Sequence, residues 1–294
     1  MDVRRYEVFL RAVENGNLTR TAEELGYTQP GISQLIKKVE EECGFPLLYR
    51  GKGGVAATPD AKLLIPIMRE LVKWSEQFRQ TTSLIRGVET GTVRVASYSS
   101  IACRWLPGII SRFRREHPDI DIEVTEGVYS EIDEMICEKR VDMGLFSANP
   151  AQTYDAIPLM EDRMMVMLPT DHPLRDAKAF PLEALKDEAI IACMDIDNER
   201  VLAECRARYG PFTKKFIQSR EMYAAVAMVA DGLGVSMAGE LFMKGFHENV
   251  ISMPLEPNFS RTLIIGVPSL KEVSPAAKRF ISYVKKYVAE PRLS

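Results

Sequence analysis

The chain has 294 residues, enough for two or three folded units of ordinary size. It is 46% hydrophobic, 27% charged and 8% aromatic, which excludes a wholly disordered or collagen-like chain. With 38 Lys and Arg against 41 Asp and Glu, the net charge of −3 provides no overall field that would draw it to nucleic acid or a membrane surface.

The first sixty residues read as short helices. Val3, Tyr6, Phe9, Leu10 and Val13 recur at helical spacing, and Asn15-Gly16 supplies the left-handed ending that a helix needs. Asn17 is placed to cap a second helix that turns Leu18, Ala22 and Leu25 inward and stops at Gly26. Thr28 is placed to cap a third, with Pro30 in its first turn where a missing N–H costs little. On that third helix Ile32, Leu35, Ile36, Val39 and Cys43 form an apolar stripe, opposite Ser33, Gln34, Lys37 and Glu41. Gly44 and Pro46 end it. Residues 46–57 then read as a small hairpin around the turn Gly51-Lys52-Gly53-Gly54.

Thr58-Pro59 opens a long amphipathic segment that runs to about Ile85. Leu64, Leu71, Phe78 and Ile85 fall seven apart, with Ile67, Trp74 and Thr81 on the companion seam, a pattern that pairs one helix with another. Pro66 inside it should remove a hydrogen bond and kink the helix.

From residue 92 the rhythm becomes strand–helix alternation. Thr92–Ser97, Asp121–Glu126, Asp142–Ser147, Met164–Leu168, Ala189–Met194, Phe216–Gln218, Val235–Ala238 and Leu263–Val267 read as strands. Between and after them, Ile101–Glu116, Ser130–Lys139, Leu182–Lys186, Asn198–Tyr209, Glu221–Asp231 and Pro275–Val288 read as helices. The alternation predicts βα units and a mostly parallel sheet.

Three short helices and a hairpin make a winged helix-turn-helix candidate. Such a module presents small polar side chains and amides at the start of its third helix to base edges and phosphates. Thr28, Gln29, Pro30, Ser33, Gln34 and Lys37 supply that end, and Arg50 and Lys52 on the hairpin are placed for backbone phosphate or the minor groove. The alternative is a helical subdomain whose polar face is merely solvated. Charge favours that alternative, because residues 1–58 hold eight basic and eight acidic side chains. Yet Glu40, Glu41 and Glu42 lie at the far end of the third helix, away from a groove entered N-terminus first.

Resemblance decides between the two. The run Phe9–Leu25 is similar to the first two helices of LysR-type transcriptional regulators, and Thr28–Glu40 resembles their recognition helix. Gly44-Phe45-Pro46-Leu47-Leu48-Tyr49-Arg50 and Thr58-Pro59 resemble the wing and the start of the linker helix. The departures are Leu48 where the family usually has Phe, Ala61 where it has Gly, and a wing poorer in Arg. The resemblance implies an α+β multidomain protein: an N-terminal winged helix-turn-helix at 1–58, a long linker and dimerisation helix at 59–90, and a C-terminal periplasmic-binding-protein-like module of two α/β subdomains at 91–294. Subdomain I would take about 91–161 and 267–294 and subdomain II about 162–266, with crossings near Leu159–Arg163 and Gly266–Pro268.

The function so implied is ligand-responsive, DNA-binding transcriptional regulation, with no enzyme activity and no cofactor. The partners are double-stranded DNA at an inverted repeat, a small-molecule effector and a further copy of the chain as homodimer or homotetramer, with RNA polymerase as an additional candidate. Ligands of open α/β sheets sit beyond the carboxyl ends of strands, at helix N-termini. That rule selects Ser99 and Ser100, Gly127 and Tyr129 in Gly127–Ser130, Phe146 and Ser147 in Phe146–Asn149, and Cys193 and Met194 in Cys193–Asp195. Hydroxyls and amides at helix N-termini favour an anion, so a carboxylate-bearing effector is expected. Ser99 and Ser100 serve equally as plain helix caps, and Cys193 as a buried core residue or a redox-sensing partner of Cys205.

A cytoplasmic protein is expected. Five scattered cysteines form no CxxC pair, no apolar stretch follows the opening Met-Asp-Val-Arg-Arg, and no apolar run reaches 18 residues. His117, His172 and His247 have no partner at metal-ligand spacing, so no metal site is expected. Gly232-Leu233-Gly234 follows a helix and precedes a strand, the reverse of a dinucleotide-binding turn. The rival class is an enzyme or solute-binding module with a helical oligomerisation domain, which explains residues 92–294 but not Thr28–Lys37 with Arg50.

Overall fold

The computed structural model describes residues 2–51, 53–87, 89–193, 195–214, 216–244 and 249–290. They divide into two compact units, the first formed by Met1–Gly91 with the short segments Glu138–Arg140 and Ser274–Ala276, the second by the remaining chain.

In the first unit, α1 (Val3–Asn15), α2 (Leu18–Leu25) and α3 (Gln29–Cys43) precede a hairpin of β1 (Leu48–Gly51) and β2 (Gly54–Ala57), and α4 (Pro59–Ile85) follows. The capping chemistry falls where the sequence puts it. Asn17 accepts from the amides of Thr19 and Arg20, Thr28 from Gly31 and Thr58 from Ala61. Gly16, Gly26 and Gly44 close α1, α2 and α3 in the left-handed conformation. The hairpin is seated on the end of α1, where Val55 N donates to Gly16 O at 2.8 Å. A Cβ at Gly54 would collide with that same oxygen, so only glycine fits. Phe9, Ile32, Ile36, Val39 and Leu47 are fully buried in the common core.

The long helix α4 splits its apolar surface. Ala61 and Met68 are buried, and Leu64 and Leu71 are half-buried against the core of the first three helices. Ile67, Trp74, Phe78 and Ile85 instead stand 57%, 49%, 73% and 82% exposed. The seven-residue repeat therefore serves two surfaces, one inside the unit and one left open. The helix continues through Pro66, which lies on an exposed stretch where water can satisfy the carbonyl that proline leaves unbonded.

The second unit comprises β3 (Gly91–Ser97), α5 (Ser99–Arg104), α6 (Leu106–Glu116), β4 (Ile120–Glu126), α7 (Tyr129–Cys137), β5 (Met143–Ser147) and β6 (Asp155–Pro169). Then come β7 (Phe180–Pro181), β8 (Ile191–Cys193), α8 (Ile196–Tyr209), β9 (Ile217–Ser219), α9 (Met222–Ala230) and β10 (Ser236–Gly239). It ends with α10 (Glu240–Met243), β11 (Val250–Glu256), β12 (Ser260–Val267) and α11 (Pro275–Ala289). The helix expected over Ile101–Glu116 is two helices, because Pro107 in the first turn of α6 cannot continue the hydrogen bonding of α5. Leu182–Asp187 is a 3-10 turn.

The sheet is mixed, not mostly parallel. Its order is β4-β3-β5-β12-β6-β11-β7, with β10 also on β6. β3 pairs β5 in parallel, but β12 runs antiparallel to both β5 and β6, and β10 and β11 run antiparallel to β6. The organising element is β6. Its first half pairs β12 from Asp155 to Arg163, and its second half pairs β11 and β10 from Met164 to Pro169. The chain thus passes from one subdomain sheet to the other at Arg163–Met164. The return crossing falls before β12, earlier than the expected Gly266–Pro268, because Leu263 to Gly266 already pair with β5. Separate apolar clusters support each half, one around Ile132, Ile136 and Phe146, the others around Val166, Val201 and Met237 and around Met167, Ala225 and Val229.

Thr58 is 6% exposed and ties α4 to the hairpin, accepting from Ala61 N at 3.1 Å and donating to Pro46 O at 3.1 Å. Thr58→Ala should cost about 1–2 kcal/mol in urea unfolding of the full chain, and Thr58→Ser should restore most of it.

Candidate functional site

Two surfaces carry chemistry, one in each unit. On α3, Thr28, Gln29, Pro30, Gln34 and Lys37 are exposed, while Ile32, Ile36 and Val39 face the core. A helix held by one buried stripe presents its opposite face whole. Ser33 is half-buried and accepts from Arg50 Nη1 at 3.0 Å, so the hairpin is bonded to α3 through the two residues expected to meet DNA. Arg50 also lies 3.5 Å from Glu40, whose Oε1 accepts from Leu47 N and Leu48 N at 2.8 and 3.2 Å. Lys37 lies 3.6 Å from Glu41, and Arg5 donates to Glu42 at 2.6 Å. Each of the three glutamates that spoil the local charge balance therefore has a cation inside the unit. Lys52 lies outside the described residues.

The second surface is a cavity of about 160 Å³ in the second unit, between the two halves of the sheet. Ser99, Ser100, Gly127, Tyr129 and Cys193 line it as expected. Two expected residues stand behind its wall. Phe146 is fully buried, packed among the rings of Tyr98, Tyr129 and Tyr154 at 5.6–6.2 Å. It turns inward because Gly144 and Gly266, paired across the ladder, leave it room; a Cβ at Gly266 would approach its ring to 2.9 Å. Ser147 is also fully buried and donates to Asp197 Oδ2 at 2.5 Å. Met194 lies outside the described residues.

Half of the lining that sequence reasoning missed is charged. Arg220 and Glu221 follow β9, Gly239 ends β10 with Phe242 just after it in α10, and Glu126 ends β4. The same strand-end rule reaches all of them once β9 and β10 are given their full length and α10 is recognised. Arg261 is different. It lies inside β12, directly opposite Asp162 of β6 in the ladder, and its side chain is 4% exposed. Its Nε donates to Asp162 Oδ2 at 2.9 Å, and its Nη1 lies 3.4 Å from Asp195 and 3.6 Å from Asp197. Its guanidinium also sits 5.5 Å from the centre of the Tyr98 ring, whose hydroxyl donates to Asp195 at 3.4 Å. Gly239 completes the packing, since a Cβ there would collide with both Asp162 Oδ2 and Arg261 Nη2.

Electrostatics follow from that crowding. Burial acts to lower the Arg261 pKa, but Asp195, Asp162 and Asp197 outweigh it and raise the pKa beyond its already high value, so the guanidinium is permanently charged. Burial, then the charge of Asp195, pushes Asp197 above the ordinary carboxylate range, against the opposing pull of Arg261. Burial lifts the Cys193 thiol to about 11, and also raises Cys205. Cys193 donates to Met222 Sδ and Cys205 to Leu182 O, in separate apolar clusters. Neither thiol has the depressed pKa of a reactive one.

A helical module that exposes an α3 face beside a hairpin, joined to a two-lobed module with a cavity, defines a one-component regulator: one part reads DNA, the other a small molecule. Family comparison makes that specific. The model for "Bacterial regulatory helix-turn-helix protein, lysR family" matches residues 3–62 and "LysR substrate binding domain" matches residues 86–289. The chain belongs to the LysR family and is a ligand-responsive, DNA-binding transcriptional regulator with an effector-binding domain. It is 29% identical over 289 residues to the uncharacterized HTH-type transcriptional regulator YvbU of Bacillus subtilis, covering 97% of this chain and 98% of that one. It is 28% identical over 282 residues to the HTH-type transcriptional regulator BenM of Acinetobacter baylyi, covering 92% and 91%. Its fold is shared with a full-length OxyR variant from Pseudomonas aeruginosa at a TM-score of 0.76 and 20% identity, over 100% and 99% of the two chains. No helix among the described residues is long and apolar enough to cross a membrane.

The buried cluster makes two aspartates behave oppositely. Asp162→Ala leaves Arg261 short of its nearest partner and should destabilise the chain by about 3–5 kcal/mol in chemical denaturation. Asp197→Asn keeps an acceptor for Ser147 and removes a charge that burial disfavours. Because the folded pKa of Asp197 is raised, its contribution is present below the unfolded carboxylate value and lost as pH rises through the folded one. Unfolding midpoints should therefore favour Asp197→Asn increasingly as pH rises from about 4 toward neutrality.

Proposed function

We propose that this chain works as a homo-oligomer that grips an inverted-repeat promoter site through paired α3 helices, and that an effector in the cavity switches the complex. The observation that carries the reading is the exposed seam of α4. Ile67, Trp74, Phe78 and Ile85 present large apolar side chains along one helix at coiled-coil spacing. Pairing two such helices buries those side chains and fixes the separation of two DNA-reading units, and two-fold symmetry in the protein calls for two-fold symmetry in the site.

In this reading Gln34 takes a bidentate contact to a base edge, and Gln29, Lys37 and Arg50 set the register on phosphates. Arg50 reaches DNA from its position against Ser33 and Glu40, so the wing and recognition helix dock as one piece. Ligand binding shifts the balance between two arrangements of the subdomains, and with it the spacing of the DNA-reading pairs. Contact with RNA polymerase, a cytoplasmic location and the absence of catalysis belong to the same reading, as do the domain limits 1–58, 59–90 and 91–294.

The test is capture of fragmented host genomic DNA by the purified chain at about physiological salt, where weak phosphate contacts are screened. Enrichment of a few intergenic fragments that share an inverted repeat is the expected result; uniform recovery of all fragments would sink the reading. On an enriched site, Gln34→Ala should cost about 1–3 kcal/mol and leave binding to random DNA unchanged. Lys37→Ala should weaken both alike and flatten the salt dependence.

A further inference from the structure

We propose that the effector of this regulator carries a positively charged group, a primary ammonium or a guanidinium on a short aliphatic stem, seated among Asp195, Glu221 and Glu126. The inference rests on reading the cavity as the effector site, and it names the ligand class.

Charge at the cavity is its first support. Four carboxylates line it (Glu126, Glu131, Asp195 and Glu221) against two guanidiniums. Both guanidiniums are already engaged, Arg220 with Glu131 and Arg261 with Asp162 and Asp195. Among the described residues no cation pairs with Glu126 or Glu221, which come from opposite sides of the cavity, at the ends of β4 and β9.

A second, independent observation lies behind the wall. Asp162, Asp195 and Asp197 converge on the single guanidinium of Arg261, and Asp162 and Asp197 are 1% and 3% exposed. Arg200 reaches only Asp197, at 3.7 Å, and is 54% exposed. A buried group of acids with too little positive charge is costly, and a cation placed beside it offsets that cost. Asp195 is the member of this group that also lines the cavity, so it is where a ligand cation would act.

Three of the helix N-termini around the cavity argue in the same direction, while α5 and α9 start without a side-chain cap. Anion binding needs free amides there. Val128 N, ahead of α7, already donates to Glu131 at 3.1 Å. Asp197 N, in α8, donates to Asp195 at 3.1 Å, and Leu241 N, in α10, donates to Asp162 at 2.8 Å. At α7, α8 and α10 an incoming carboxylate would meet amides already held by the chain's own carboxylates. With Glu126 and Glu221 unpaired by any cation among the described residues and these three starts filled, a cation is the better match for this side of the cavity, in place of the anion expected from the sequence.

The choice of an organic cation over a metal ion also has support. No group of three or more His, Cys, Asp or Glu among the described residues is arranged to hold a metal. Met222, Phe242 and Ala238 line the same cavity and suit an aliphatic stem.

The experiment uses the full chain and matched aliphatic probes from propyl to hexyl, each as amine, guanidine, amide and carboxylate, with saturation-transfer NMR and thermal shift as readouts. Amines and guanidines should bind at least about tenfold more tightly than the carboxylate of equal stem, and raise Tm where the carboxylate does not. Glu221→Gln, at an exposed position, and Asp195→Asn, which preserves the α8 cap, should each bring that ratio toward one. Tighter binding of the carboxylates would overturn the cationic assignment and leave the effector site standing. If no class bound better to the native chain than to a Ser99→Trp variant that fills the cavity, the effector reading would fall with it.

Discussion

The pairing of Arg261 with Asp162 is the constraint around which the ligand-binding unit is arranged. The two residues face each other in the ladder between β12 and β6, one pair away from the point where β6 leaves β12 for β10 and β11. Neither charge can be buried alone without a cost of several kcal/mol, so each fixes the other's strand. The consequences spread outward. Asp162 also accepts the amide of Leu241 and so sets the start of α10. Gly239 must lack a side chain to admit the pair. Asp195, drawn to the same guanidinium, caps α8 and accepts the Tyr98 hydroxyl from the other half of the module.

The two units use charge in contrasting ways. In the DNA-reading unit, acids are matched to cations locally: Glu40 to Arg50, Glu41 to Lys37, Glu42 to Arg5. These are exposed pairs of small individual energy, and they are weakened by salt and displaced readily. Residues 1–58, with no net charge, can in the proposed reading still turn cations toward phosphate, because Lys37 and Arg50 exchange a weak internal partner for a stronger external one. In the ligand-binding unit Asp162 and Asp197 are buried around the single guanidinium of Arg261, where screening is slight. In the proposed reading a ligand cation in the cavity answers that imbalance.

Local chemistry made the first unit readable in the sequence. Asn17, Thr28 and Thr58 cap helices with their own side chains, and Gly16, Gly26 and Gly44 end them, so every boundary is written within a few residues. The second unit depends on pairings between distant residues. β11 escaped because Pro254 sits within it, and proline reads as a break, yet it is tolerated in this ladder. Only Met164–Leu168 of β6 carries a strand pattern in the sequence, because its first half holds Asp155, Pro158, Glu161 and Asp162 and looks like loop. Ser99, Ser100, Gly127, Tyr129 and Cys193 were found by a general rule about strand ends, and Phe146 and Ser147 failed by that rule because paired glycines and a buried aspartate turned them inward. Arg261 carried no local signal at all. A lone arginine ahead of an apolar run reads as solvated until its partner, 99 positions earlier, is known.

The position of the charged cluster bears on how a ligand could be felt elsewhere. Subdomains that share continuous strands can move only where those strands change partners, since packed interiors do not deform smoothly. In β6 that place is Arg163–Met164, next to Asp162; the return crossing lies just ahead of Ser260, next to Arg261. Arg261 thus both lines the cavity and pairs with Asp162 beside the crossing. A cation at Asp195 competes with Arg261 for that carboxylate, and whatever Arg261 loses there must be regained from Asp162 and Asp197. In the proposed reading, ligand charge is in this way read at the strand crossing itself, without a relay through the apolar cores of either half.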